Sequence, residues 1–178
     1  MRAIGLVLAG GNSNKMQTLS LKRAIAAMPV AGSYRAIDFV LSSMSNSHIQ
    51  KVAVLTQYNS RSLNEHLSSS KWWDFGRKQG GLYVFTPVIT SDNGYWYRGT
   101  ADAIYQNLDF LKRCHEPYVV ITSGDAVYKM DYEDVLDYHI EKKADITVVC
   151  KELSPEEDAR RFGTIKMDED MRILEFEE

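Results

Sequence analysis

Two glycines follow the first apolar run of the chain, in the stretch Leu8, Ala9, Gly10 and Gly11. A glycine pair lets backbone amides approach a phosphate or a ring closely. The loop that leaves the first strand of a doubly wound sheet lies at the carboxyl edge, where ligands bind. The chain contains neither a Gly-x-x-x-x-Gly-Lys-[Ser/Thr] loop nor a Gly-x-Gly-x-x-Gly fingerprint. We therefore expect a phosphate-bearing ligand here, held differently from those two motifs.

A carboxylate follows another apolar run, in the triplet Ser123, Gly124 and Asp125. On the same sheet edge as the glycine pair, Asp125 is well placed to hold Mg²⁺, which takes oxygen ligands from one or two carboxylates and from substrate phosphates. An aspartate that caps the following turn is an equally good interpretation on position alone. We interpret Asp131, a few residues further on, as structural.

Residues 98–103 (Arg-Gly-Thr-Ala-Asp-Ala) open a predicted helix that continues through Gln106 and Asn107. Thr100 is predicted to cap this helix, because a threonine hydroxyl accepts from the first free amides. The small residues that follow form a flat surface on which a ring can rest. By itself the segment predicts only a well-capped helix.

The elements that must position these groups alternate along the chain. Short Val- and Ile-rich runs at residues 4–8, 52–55, 118–122 and 146–150 predict buried strands, and residues 82–86 predict a further one. Helical faces lie between them, formed by Tyr34, Ile37, Leu41 and Met44, by Ile104, Leu108 and Leu111, and by residues 134–140. This alternation predicts a layered α/β domain with a mostly parallel sheet.

Two further segments depart from the alternation. Residues 68–92 are predicted to form a long loop or insertion, under which Trp72, Trp73 and Phe75 pack. The tail is predicted to be a hairpin that turns at residues 168–170. Residues 156–161 are rich in charge and predict an exposed helical face.

The 178 residues are enough for one sizeable domain with a core, and the net charge is −3. This balance gives no broad electrostatic surface for nucleic acid or an anionic membrane, so we expect neither as a partner. Cys114 and Cys150 are the only cysteines, and no signal-peptide pattern precedes the first strand, so we expect a cytoplasmic protein. The four histidines show no metal-binding spacing.

Taken together and in order, these motifs resemble those of the sugar-nucleotide pyrophosphorylases, and within them the glucose-1-phosphate adenylyltransferases. The stretches that carry the resemblance are residues 8–11 (Leu-Ala-Gly-Gly), 34–39 (Tyr-Arg-Ala-Ile-Asp-Phe), 55–58 (Leu-Thr-Gln-Tyr), 96–103 (Trp-Tyr-Arg-Gly-Thr-Ala-Asp-Ala), Gln106 with Asn107, 123–125 (Ser-Gly-Asp) and 128–132 (Tyr-Lys-Met-Asp-Tyr). They extend over essentially the whole chain, and their fixed order is far more specific than any one of them.

The resemblance implies a Rossmann-like (GT-A-like) nucleotidyltransferase domain. Residues 1–178 would form its N-terminal part, truncated before the C-terminal part and a left-handed β-helix. The family joins ATP and glucose 1-phosphate into ADP-glucose and pyrophosphate for glycogen synthesis. Carried over by position, Asp125 would bind Mg²⁺ and act in catalysis. The residues that would contact the nucleotide are Leu8, Ala9, Gly10, Gly11, Gln57, Gly99, Thr100, Ala101, Gln106 and Gly124. Gln57 and Trp96 fall where the family relays effector binding to the ATP site.

Two departures from the family pattern concern cations. The family's first loop runs Gly-Gly-x-Gly-x-Arg-Leu, whereas here Lys15 stands in place of the arginine and lacks its planar fork. The next family motif is Arg-Ala-Lys-Pro-Ala-Val, but Ile25 replaces its lysine. Losing one preorganised contact to the transition state reduces the rate by a factor of about 10²–10³.

These departures resemble the GlgD-type subunits that accompany a catalytic subunit in some Gram-positive bacteria. The implied role is that of a catalytically weak, regulatory partner in a heterotetramer with the catalytic subunit. Two alternatives remain open. One is an active enzyme whose phosphates are held by Lys15, Lys22 or Arg23. The other is a nucleotide-sensing interaction module without chemistry.

Overall fold

The computed structural model describes residues 2–11, 14–76, 80–88, 94–154 and 162–177. Its strands are β1 (Ala3–Ala9), β2 (Pro29–Val30), β3 (Tyr34–Arg35), β4 (Lys51–Thr56), β5 (Gly81–Phe85), β6 (Tyr118–Ser123), β7 (Thr164–Met167) and β8 (Ile173–Glu177). Its α-helices are α1 (Ala36–Asn46), α2 (Arg61–Leu67), α3 (Thr100–Gln106), α4 (Leu108–Arg113) and α5 (Tyr132–Lys142). Short 3₁₀ segments cover Asn14–Leu19, Ile25–Ala27 and Ser70–Trp73.

Four parallel strands form the central sheet in the order β5-β4-β1-β6. β1 lies between β4 and β6 and is buried along almost its whole length, as its apolar sequence predicts. The strand order reverses beside β1, because the chain places β4 on one side of it and β6 on the other. In open α/β sheets ligands bind beyond the carboxyl ends of the strands at such a reversal. The predicted α/β class and parallel sheet are thus confirmed.

α1 supplies much of the core on one face of this sheet, through the fully buried side chains of Ile37, Val40, Leu41 and Met44. The helix begins at Ala36 rather than at Tyr34. Tyr34 lies instead in β3, opposite Val30, so its place on the predicted helical face is wrong. The helix starts later because the backbone of Arg35 is extended, and its N–H donates to Asp38 Oδ2 at 2.8 Å, which fixes the first turn.

The strand predicted at residues 146–150 is not formed. β6 is the outer strand of the described sheet, and nothing in the described part of the chain pairs with residues 146–150 as a further strand. Ile146, Val148 and Val149 are exposed. An apolar sequence favours a strand only where a neighbour completes the ladder.

The remaining predictions about helices, strands and packing are partly confirmed and partly wrong. The strand at residues 82–86 corresponds to β5, and the tail is the antiparallel hairpin β7–β8. The helix predicted through residues 104–111 is interrupted at Asn107, whose amide donates to the backbone oxygen of Ala103 at 2.8 Å and competes with the helical pattern. Trp73 and Phe75 are buried as predicted, but the prediction for Trp72 is wrong, since it is 78% exposed.

Among the residues that the structure describes, no helix is long and apolar enough to cross a membrane. Cys114 and Cys150 are free thiols. The charged stretch predicted to be helical at residues 156–161 lies outside the described residues.

Candidate functional site

The turn that carries Asp125 packs directly on the end of β1. The Gly124 N–H donates to the Leu8 oxygen at 2.8 Å. A Cβ on Gly124 would lie 3.0 Å from Ala9 Cβ and 3.2 Å from Val7 Cγ1, so only glycine fits here without displacing its neighbours. The structure therefore brings the Ser-Gly-Asp turn beside the first glycine loop, as the sequence predicts.

The segment that carries Ile25 touches the same turn. A Cβ on Gly124 would lie 3.3 Å from Ala26 Cβ. Residues 25–27 form a short 3₁₀ turn in which the Met28 N–H donates to the Ile25 oxygen at 2.9 Å. Ala26 and Ala27 are buried, whereas Ile25 is half-buried. Position 25 is thus held immediately beside the turn that presents Asp125.

Gln57, just beyond the end of β4, joins the first loop to the segment before α3. A Cβ on Gly10 would lie 3.1 Å from Gln57 Cβ. The Gln57 amide then binds the Tyr97 backbone at two points: its Oε1 accepts from Tyr97 N at 2.7 Å and its Nε2 donates to Tyr97 O at 3.3 Å. Next to this bridge, the Tyr58 and Trp96 rings stack with centroids 5.3 Å apart.

Asp102 holds the chain that leads into α3. Its Oδ2 accepts from the Arg98 N–H at 2.9 Å and from Gln106 Nε2 at 2.8 Å. Thr100 is the first, exposed residue of α3, and the extended Gly99 occupies the cap position. The predicted capping role of Thr100 is therefore wrong, because the helix begins at Thr100 itself and glycine, which has no side chain, stands at the cap.

Tyr97 is a site residue that the sequence motifs did not single out. Its side chain is 8% exposed, and its hydroxyl accepts from Asn107 Nδ2 at 3.0 Å. Burial raises the pKa of the Tyr97 phenol above its ordinary value. Its position directly before the Arg-Gly-Thr-Ala motif was the one available signal. Together with Gln57, it fixes the backbone that leads into Gly99 and Ala101.

Asp125 is exposed at the carboxyl edge, and one of its oxygens accepts from the Ser123 hydroxyl. No group of three or more His, Cys, Asp or Glu in the described part of the chain could hold a metal ion. Asp131 instead caps α5, accepting from Glu133 N at 3.0 Å, as predicted. One exposed carboxylate fits Mg²⁺, which commonly completes its shell with substrate phosphates and water. It does not fit Zn²⁺ in a structural site, which takes four protein ligands.

Several basic residues lie near the segment that carries Ile25. Asn59 holds this segment to the end of β4: the Ala24 N–H donates to the Asn59 oxygen at 3.3 Å, and Asn59 Nδ2 donates to the Ser20 oxygen at 3.0 Å. Burial, followed by the charge of Arg23, lowers the pKa of the Arg35 guanidinium. The side chain of Lys15 lies outside the described part of the structure.

The sheet order, the glycine loop and the carboxylate at the point where the order reverses define an α/β protein of the nucleotide-binding kind. The family profile described as nucleotidyl transferase matches residues 4–178. The chain belongs to the nucleotidyl transferase family.

Within this family, the similar curated proteins are glucose-1-phosphate adenylyltransferases. That of Clostridium kluyveri is 47% identical over 175 residues, which is 98% of this chain and 45% of the relative. That of Thermosipho africanus is 46% identical over 98% of this chain and 42% of the relative. That of Bacillus thuringiensis is 44% identical over 99% of this chain and 47% of the relative. The family resemblance is confirmed, and the chain spans about half the length of these relatives.

Proposed function

We propose that this chain binds Mg²⁺-ATP at the carboxyl edge of its sheet and belongs to a glucose-1-phosphate adenylyltransferase that serves glycogen synthesis. Within that enzyme it acts as a catalytically weak, regulatory subunit beside a catalytic subunit in a hetero-oligomer. The support comes from the family, the relatives' names and the arrangement of three chain segments around Asp125. The single observation that carries the weakened role is the apolar side chain at position 25.

In the proposed reaction, a phosphate oxygen of glucose 1-phosphate bonds to the α-phosphorus of ATP. The bond from that phosphorus to the β-phosphate oxygen breaks, and pyrophosphate leaves with the electron pair. Bound Mg²⁺ neutralises part of the phosphate charge. The backbone of Gly10 and Gly11 gives the nucleotide close access to the sheet edge, Gln57 and Tyr97 fix the segment that leads to Gly99, and Asp125 supplies the carboxylate.

Ile25 leaves this arrangement short of a cation. The Asp125 turn packs against Ala26 with no room for a Cβ on Gly124, so position 25 is one residue from this contact. We infer that its side chain reaches the region where phosphate charge collects. A lysine there would act as a preorganised positive charge in the transition state, a kind of contact worth a factor of about 10²–10³ in rate. Isoleucine supplies none of this stabilisation.

The test measures ADP-glucose formation by the intact gene product alone, by a catalytic adenylyltransferase subunit alone, and by the two mixed. We expect little product from the first and more from the mixture than from the catalytic subunit alone. Ile25→Lys should raise turnover by the protein alone at least tenfold, whereas the size-matched Ile25→Met should not. Robust turnover by the unaltered protein alone would refute the weakened role.

The active-enzyme alternative has one observation in its favour: Arg23 lies close enough to Arg35 to lower its pKa, so positive charge is concentrated two residues before Ile25. In that case Lys15, Lys22 or Arg23 would hold the phosphates, and the charge beside Arg35 favours Arg23. Arg23→Gln would then abolish turnover by the protein alone. If the protein is instead a weak subunit, the same variant changes an already low rate very little.

Nucleotide binding can be measured on the chain itself. The stacked Tyr58 and Trp96 rings make tryptophan fluorescence a suitable signal. We expect ATP with Mg²⁺ to bind more tightly than UTP or GTP, and Asp125→Asn to weaken binding only when Mg²⁺ is present. Equal affinity for all nucleotides would count against both the adenylyl assignment and the sensing-module alternative.

A further inference from the structure

A chain of hydroxyl groups lies beneath the turn that presents Asp125. Thr122 Oγ1 and the Tyr128 hydroxyl are 2.8 Å apart, and the Tyr128 and Tyr132 hydroxyls are 3.1 Å apart. Thr122 is in β6 just before the turn, Tyr132 is the first residue of α5, and Tyr128 lies between them. None of these hydroxyls has a role in the site described above.

The bond between Thr122 and Tyr128 closes a loop of chain that has Asp125 in its middle. On its β1 side this loop is held by the Gly124 N–H to the Leu8 oxygen at 2.8 Å. Asp125 itself is exposed, and its carboxylate accepts a hydrogen bond from Ser123, its near neighbour in the turn. The position of the carboxylate therefore depends on how firmly the two ends of this loop are fixed.

The far end of the loop is fixed by α1. Ser47 Oγ accepts from the Tyr132 N–H at 2.8 Å, and Ser43 Oγ accepts from the Met130 N–H at 3.3 Å. Both serines are buried, and Tyr132 is 4% exposed. Tyr132 is thus a rigid anchor, to which the Tyr128 hydroxyl connects the end of the loop.

Tyr132 keeps its phenolic proton at neutral pH. Burial, followed by the hydrogen bond with Tyr128, raises the pKa of the Tyr132 phenol far above its ordinary value. Tyr132 therefore takes part as a hydroxyl group rather than as a charge. Thr122 and Tyr132 are buried, whereas Tyr128 is 36% exposed. Losing the Tyr128 hydroxyl therefore leaves two buried partners each without one hydrogen bond.

We propose that Tyr128 is a positioning residue for the Asp125 carboxylate, and that its hydroxyl, held between Thr122 and Tyr132, fixes the loop in the shape that meets the cation of a metal–nucleotide complex. The inference rests on the proposed function, because it needs Asp125 to contact that cation. It assigns a role to a residue that lies outside the nucleotide contacts carried over from the family.

The test titrates Mn²⁺ into the chain in the presence of ATP and follows water-proton relaxation. Tyr128→Phe and Thr122→Val remove one hydroxyl each and nearly preserve shape. We expect each to weaken Mn²⁺ affinity roughly three- to tenfold, the range given by loss of one hydrogen bond. Thr122→Ser keeps the hydroxyl and should stay within twofold of the unaltered chain. Because both hydroxyls act through one bond, the double variant should bind Mn²⁺ about as well as whichever single variant has the lower affinity.

Two controls separate positioning from general loss of structure. Tyr138→Phe removes a hydroxyl elsewhere in α5 and should leave Mn²⁺ affinity unchanged. ATP affinity measured in EDTA, without any metal, should be the same for all variants. If Tyr128→Phe lowers stability to urea but binds Mn²⁺ normally, Tyr128 is merely structural and the proposal is overturned.

Asp125→Asn separates failure of the positioning role of Tyr128 from failure of the proposed metal–nucleotide site. If it abolishes Mn²⁺ binding while Tyr128→Phe and Thr122→Val do not weaken it, the positioning role fails and the proposed metal–nucleotide site stands. If Asp125→Asn leaves Mn²⁺ affinity unchanged, the metal site itself is wrong, and the role of Tyr128 fails with it.

Discussion

Replacing Gly124 by alanine tests whether the three segments of the candidate site are really packed against one another. The added Cβ would lie 3.0 Å from Ala9 Cβ, 3.2 Å from Val7 Cγ1 and 3.3 Å from Ala26 Cβ. Carbon atoms in good contact are about 3.5–4.0 Å apart, so all three distances are too short. The Cβ atoms of Ala9 and Ala26 are fixed to the backbone, and only the Val7 methyl can rotate away.

Relief of the clash must therefore move β1, the turn or the segment that carries Ile25. Overpacking of this kind in a core costs about 1–3 kcal/mol. For a domain of this size, each kcal/mol lowers the Tm by about 2–4 °C, so a loss near the middle of that range lowers it by about 4–8 °C. We also expect ATP binding to weaken, because the same movement displaces Asp125 from the glycine loop.

The assay is urea unfolding together with ATP titration, for Gly124→Ala and two matched variants. Neither Gly11 nor Gly76 has an atom within 4 Å of an added Cβ. Gly76→Ala should change neither stability nor binding. Gly11→Ala should keep stability within about 0.5 kcal/mol, as surface changes usually do, yet weaken ATP binding, since its Cβ enters the space left for the ligand. A Gly124→Ala chain as stable as the unaltered one would refute the packing described here.

Two further predictions concern other parts of the fold. Lys51 Nζ and a Glu116 carboxylate oxygen lie 2.7 Å apart with little exposure. Burial acts to raise the Glu116 pKa, but the hydrogen bond and charge of Lys51, together with a backbone hydrogen bond and the charge of His115, outweigh it and leave that pKa below its ordinary 4.5. The stability from this carboxylate is therefore present above that value and lost as the pH falls through the lower folded pKa. Glu116→Gln should lower the free energy of unfolding by roughly 1–3 kcal/mol at pH 7. Urea unfolding should show this loss shrinking below pH 4.5, and a loss that is constant with pH would contradict the prediction. Gln57→Leu removes both bonds to the Tyr97 backbone and should change the Trp96 fluorescence and weaken ATP binding severalfold. Gln57→Glu retains only the acceptor and should be intermediate. Unchanged fluorescence would show that the bridge does not fix the position of this segment.

The parallel sheet could be predicted from sequence because its central strands are buried on both faces. Runs such as residues 4–8 and 52–55 are apolar without alternation, and only a strand covered on both sides favours that pattern. The same rule gave a wrong strand at residues 146–150. A strand is a property of a pair of chain segments, and the local sequence does not contain the neighbour that would complete the ladder.

The sequence predicts which chain segments meet at the candidate site. Topology alone places the loops after β1 and β6 at one sheet edge, so the meeting of the end of β1 with the Asp125 turn follows from the strand assignments. The sequence did not predict which side chains bond to which partners. Thr100 matched the usual capping residue type, but Gly99 occupies the cap position, and Asp102 binds the Arg98 N–H before the helix. The bridge from Gln57 to Tyr97 spans 40 positions, and no local pattern encodes it.

The chemistry at position 25 links the fold to the proposed role. A lysine held half-buried between Ala24 and Ala26, both of which are buried, would carry a desolvated charge whenever no phosphate is bound, and such a charge is costly without a partner. An isoleucine at the same place removes that cost and packs with its neighbours. The contact between Ala26 and Gly124 depends on the small side chain of Ala26, so it is kept when the residue at position 25 changes. The segment can therefore keep its position beside Asp125 while losing the charge that drives the reaction. For this reason an intact nucleotide site and weak turnover are expected together in one chain.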